Sequence, residues 1–122
     1  MSEQNKTVGT VGWVDLTVDD AEGLRDFYSA VVGWEPEGLS MGDYDDYSMK
    51  AEGGAAVAGV CHAREMNADI PPVWLVYVTV ADLDASVART LELGGEVVTR
   101  KTSFAVIRDP AGAMLALYQP GE

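Results

Sequence analysis

Two places in this 122-residue chain pair residue types that can do chemistry. In the stretch VGWVDLTVDD, residues 11–20, apolar and polar positions alternate: Trp13, Asp15 and Thr17 fall on one face, Val14, Leu16 and Val18 on the other. A period of two is the signature of a strand, so Asp15 is held beside an indole. A carboxyl there can be pushed up to serve as an acid or base, or stay ionised and hold a cationic ligand. It can also hydrogen-bond Tyr77 or Thr79 as a structural pair. The second place is Cys61-His62, the one cysteine beside the one histidine. Neighbours on a strand point to opposite faces, which argues against a Cys–His nucleophile pair. The plainer expectation is a small core thiol at Cys61 and an exposed imidazole at His62. A transition-metal site assembled from Asp15, Cys61 and His62 stays open as chemistry but is not the favoured reading.

The elements that must position these residues follow from an internal repeat. Displacing the chain by 62 positions lays Val11, Val14, Thr17, Val18, Asp20 and Gly33 on Val73, Val76, Thr79, Val80, Asp82 and Gly95, all identical. In the first copy Asp20 caps a helix carrying Leu24, Phe27, Tyr28 and Val31, and Gly33 stops it. In the second, Asp82 opens a helix bearing Leu83, Val87 and Leu91, closed by Gly94 and Gly95. Strand-like runs follow each helix: Glu35–Glu37, Tyr44–Ala51 and Ala56–His62, then Glu96–Thr99, Phe104–Arg108 and Met114–Gln119. Asp-Pro-Ala-Gly at 109–112 has the chemistry of a tight hairpin. The expected order is βαβββ, twice: one α+β domain over 1–122 with a flexible start at 1–8, modules at 9–62 and 73–119, and a polar linker at 63–72.

Composition narrows the function classes. A net charge of −12 and a pI near 4.2 argue against nucleic acid and anionic membranes as partners, because both are bound by neutralising their negative charge. No apolar run approaches the ~18 residues of a membrane span, and MSEQNKTVGT lacks a secretory pattern. With a lone cysteine, the expected location is the cytoplasm. No phosphate loop, dinucleotide fingerprint or nucleophile elbow is present, so no cofactor is expected.

The paired modules, with VDLTVDDAEGLRDFYSAVVGW in the first and RDPAGAMLALYQP in the second, resemble the vicinal oxygen chelate superfamily of glyoxalases, bleomycin resistance proteins and extradiol dioxygenases. The likeness covers residues 9 to 119. It implies an incompletely closed eight-stranded sheet around a cleft, with helices on the convex face. The expected assembly is a homodimer, and the linker is long enough for the modules to pair within one chain or across two. The resemblance also implies where a metal would be held: a His or Gln seven residues before the strand-ending Asp, and a Glu on each module's last strand. Those positions fall on Trp13, Leu75, Gly59 and Ala116, none of which can coordinate a cation.

The expectation is therefore a metal-free cleft that binds a small organic molecule, cationic or aromatic. Its lining is expected from Trp13, Asp15, Thr17, Tyr47, Leu75, Tyr77, Thr79 and Tyr118, with phenols giving apolar area and one hydrogen bond each. An enzyme using Asp15 as acid or base is the alternative, and a scaffold with Trp13 plugging the cleft is the third reading.

Overall fold

The computed structural model describes residues 7–64 and 68–121. The expected flexible start therefore lies outside the described residues except at positions 7 and 8, as does the middle of the expected linker. The elements are β1 (Val11–Val18), α1 (Ala21–Val32), β2 (Glu35–Ser40), β3 (Asp45–Lys50), β4 (Ala56–His62), β5 (Leu75–Thr79), α2 (Leu83–Glu92), β6 (Glu96–Arg100), β7 (Phe104–Arg108) and β8 (Met114–Tyr118). This is βαβββ repeated, an α+β fold. Its eight strands form one mixed sheet in the order β2-β3-β4-β1-β5-β8-β7-β6, which is not closed.

Local chemistry sets the boundaries. The Asp20 carboxylate accepts from the Gly23 N–H at 2.9 Å, and the Asp82 carboxylate from the Ala85 N–H at 3.1 Å. Each satisfies one of the N–H groups that a helix start leaves without a partner. Helix α1 ends at Gly33, whose φ of 89° is left-handed, with its N–H on the Ser29 carbonyl. The turn after β7 is closed by Asp109, which accepts from the N–H groups of Ala111 and Ala113 at 2.9 and 3.0 Å.

The chain divides into two compact units: Val14–Trp74, and the chain up to Trp13 together with everything from Leu75 on. In the Val14–Trp74 unit, β4 runs parallel to β1 and antiparallel to β3, which pairs β2. Tyr47, Met49, Ala58 and Val60 form its core with Ala21, against which Val14, Val18, Leu24, Tyr28, Trp34 and Trp74 pack. The Trp74 indole N–H donates to the Tyr28 hydroxyl at 3.2 Å. The expected helix stripe is narrower than its spacing implies. Leu24 and Tyr28 reach the core, whereas Phe27 and Val31 stay more than half exposed, because at 100° per residue they fall beyond the arc that the strands cover.

The other unit repeats the plan. β8 runs parallel to β5 and antiparallel to β7, which pairs β6. Leu83, Ala105, Ile107 and Leu117 form its core, joined by Val80, Val87, Val97 and Leu115. Leu91 is 57% exposed, so α2, too, buries fewer apolar positions than its periodicity implied.

Candidate functional site

In the Val14–Trp74 unit, strand register sorts the side chains onto two faces. Leu16 lies opposite Val60, and Val60 opposite Tyr47, a row on the face that α1 covers. The rows on either side belong to the other face: Asp15 opposite Gly59 and Gly59 opposite Ser48, then Thr17 opposite Cys61. One residue before Tyr47, Asp46 extends the second of these rows. Asp15, Thr17, Cys61 and Asp46 therefore share the face away from α1.

That grouping corrects one expectation. Tyr47, read from sequence as a companion of Asp15, lies in the α1 core, where it is 6% exposed and the Arg25 guanidinium lies 4.8 Å from its ring centroid. The reason is parity: with Tyr47 registered on Val60, it is Asp46 and Ser48 that face Asp15's way.

Asp46 is the residue that the sequence reading missed. It is 7% exposed, and its carboxylate accepts from the His62 backbone N–H at 2.8 Å. Burial, then the charges of Asp15 and Asp46, push the Cys61 thiol far above its ordinary value. A thiol held protonated between carboxylates is not a nucleophile at neutral pH. The only hint in the sequence was an aspartate inside the strand-like run Tyr44–Ala51, where alternation allows a buried polar position.

His62 also departs from expectation. Its side chain is 14% exposed rather than projecting into solvent, with its ring 5.3 Å from Tyr44 and 6.3 Å from Tyr47. Its Nδ1 is buried with no hydrogen-bond partner among the described residues and lies 3.6 Å from an Asp46 oxygen, beyond hydrogen-bonding reach.

In the other unit, four of the expected residues share one face. Leu75, Tyr77 and Thr79 alternate along β5, with Tyr77 opposite Ala116 and Thr79 opposite Tyr118. The face is tightly packed: Leu75, Tyr77, Thr79 and Ala116 are 9% exposed or less. The Tyr77 and Phe104 rings lie 5.9 Å apart. Trp13, at the end of this unit's first segment, is half-buried.

The two registers are equivalent. Gly59 stands opposite Asp15 as Ala116 stands opposite Tyr77, and Asp15 and Tyr77 are matched by the sequence repeat. Counting from strand pairing instead of from turns thus gives the same pair of last-strand positions that the sequence singled out.

A family model described as a glyoxalase-like domain matches residues 13–118. Among curated proteins, the chain is 33% identical over 129 residues to "Putative glyoxylase CFP32" of Mycobacterium bovis, covering 91% of this chain and 46% of that protein. It is 36% identical over 116 residues to the anthracycline biosynthesis protein DnrV of Streptomyces peucetius, covering 91% and 42%. The chain thus spans less than half the length of these relatives. Among solved structures, methylmalonyl-CoA epimerase from Mycobacterium tuberculosis superposes with a TM-score of 0.56 at 19% identity, covering all of this chain and 94% of that one. At that identity the likeness is one of fold.

Proposed function

The chain belongs to the glyoxalase-like domain family, and from that premise we propose that it is a metal-independent member that binds a small, planar, cationic organic molecule. Asp15 is the anionic anchor and Trp13 the stacking platform, with Thr17 beside the anchor.

The observation that carries this reading is the character of the four positions where the superfamily resemblance puts metal ligands. Trp13 offers only an N–H donor, Leu75 and Ala116 are hydrocarbon and 1% and 0% exposed, and Gly59 has no side chain. These residues do not fit a divalent cation, which needs carboxylate, imidazole or thiolate donors. Gly59 also places no side chain beside Asp15 in its row. A carboxylate next to an indole matches an amine carried on an aromatic ring system. The relative named for anthracycline biosynthesis supports that ligand class.

The test is a tryptophan-fluorescence titration with an amine-bearing anthracycline and with an uncharged planar aromatic. A charged hydrogen bond contributes about 1.5–3 kcal/mol, so Asp15→Asn should weaken the amine's binding roughly ten-fold or more and leave the neutral compound unchanged. Equal binding of the amine to both proteins would remove Asp15 as anchor. The glyoxylase name of CFP32 favours a second reading, in which Asp15 is a general acid or base. Under it, Asp15→Asn abolishes turnover while binding persists. If Trp13 only plugs the fold, Asp15→Asn changes stability alone.

A further inference from the structure

On the α1 side of the Val14–Trp74 unit, away from the face of Asp15, lies a polar hollow of about 460 Å³. Its walls are Tyr44, Tyr47 and His62, with Arg64 over them and the carboxylates of Glu22, Asp43 and Asp45 at the rim. Nothing in the reading of Asp15 uses it.

Three observations point to its chemistry. The Arg64 guanidinium lies 4.1 Å from the Tyr44 ring centroid, with His62 set edge-to-face on the same tyrosine at 76°. The Tyr47 ring carries the Arg25 guanidinium at 4.8 Å. Both tyrosine rings are thus shaped and placed to receive a planar cation on the face. The charges are unbalanced: Arg25 is tied to Asp26 at 2.8 Å, and Arg64 has no ion pair among the described residues, so one guanidinium faces three rim carboxylates. Finally, Arg64 is exposed, and among the described residues its guanidinium is held by the Tyr44 ring, a contact that at an exposed site contributes only about 0.5–1 kcal/mol.

We propose that this hollow is a second binding site, for a small organic cation of the guanidinium or alkylammonium class, and that Arg64 occupies the Tyr44 ring until such a ligand displaces it. The ligand's cationic head takes the ring face that Arg64 vacates, and Asp43, Asp45 and Glu22 neutralise its charge. A chain of net charge −12 draws such ligands toward itself.

Displacement gives the site an unusual signature, because removing a cation from it should tighten cation binding. With agmatine as the probe in calorimetric titration, Arg64→Ala should bind about two- to five-fold more tightly than the natural chain, the ratio that one exposed cation–π contact represents. Tyr44→Leu should weaken binding by a similar factor, and the joint change Asp43→Asn with Asp45→Asn should weaken it further. Asp84→Asn, a surface carboxylate that does not line the hollow, should leave agmatine binding unchanged, which separates this site from general attraction to the chain's negative charge. Arg64 is on the surface, so its variant reads out binding without endangering the fold. The proposal is overturned if agmatine shows no saturable binding, or if Arg64→Ala weakens it. It is also overturned if inorganic phosphate binds in agmatine's place and loses affinity in Arg64→Ala, for then Arg64 recognises anions.

Discussion

The thiol of Cys61 gives the sharpest quantitative consequence of the polar face. Burial, Asp15 and Asp46 raise it from an ordinary value of 9.0, so above pH 9 the folded protein keeps a proton that the unfolded chain releases. The sign follows from linkage: the thiol's contribution is fully present below the unfolded value and is lost as pH rises toward the folded one. Between pH 9 and 10 the loss amounts to about 1 kcal/mol, approaching a limiting slope of about 1.4 kcal/mol per pH unit. Urea unfolding of the natural chain and of Cys61→Ser at pH 8, 9 and 10 isolates it, since serine does not titrate in this range. The natural chain should lose about 1 kcal/mol more than the variant over the last unit. Alkylation gives a second reading: iodoacetamide should react with native Cys61 at pH 8 far more slowly than with the urea-unfolded chain, and Asp46→Asn should speed it. Equal alkaline slopes, or native alkylation at the unfolded rate, would refute the arrangement of Asp15, Cys61 and Asp46.

Other consequences concern packing and caps. Met49 is fully buried beneath α1, so Met49→Ala should cost about 2–5 kcal/mol in a denaturant melt. A Cβ on Gly95 would come within 2.7 Å of the Thr90 methyl and 2.9 Å of the Arg108 carbonyl oxygen. Because the second of these is backbone, Gly95→Ala should destabilise by about 1–3 kcal/mol, visible as a lower thermal midpoint. Asp82→Ala removes the acceptor of the Ala85 N–H and should cost about 1 kcal/mol, whereas Asp82→Asn should recover most of it.

Much of the fold was legible because punctuation and period agreed. Asp20 and Asp82 fall one repeat apart and cap both helices, and β4 and β7 match the expected Ala56–His62 and Phe104–Arg108 runs. Where the reading failed, tertiary context decided. Periodicity puts Phe27 and Val31 on an apolar stripe but does not say how much of that stripe the strands cover, and both are exposed. For Tyr47 and Asp46, which face each takes depends on whether β3 registers on Val60 or on its neighbour, a one-residue difference that exchanges every side chain between faces. His62 escaped because its burial comes from Tyr44 and Tyr47, distant in sequence. Gly59 could not be counted from the repeat, because no fixed turn precedes its strand; the register of β4 on β1, which sets Gly59 opposite Asp15, supplies that position.

This glyoxalase-like chain is proposed to bind an organic molecule without a divalent metal. Native mass spectrometry of protein purified without chelators tests it most directly, because one spectrum reports bound ions and bound small molecules together. The expected spectrum shows a mass free of transition-metal ions that gains the mass of an amine-bearing aromatic ligand on its addition, and that loses this adduct in Asp15→Asn. A stoichiometric divalent ion that must be present for the ligand to bind would contradict it.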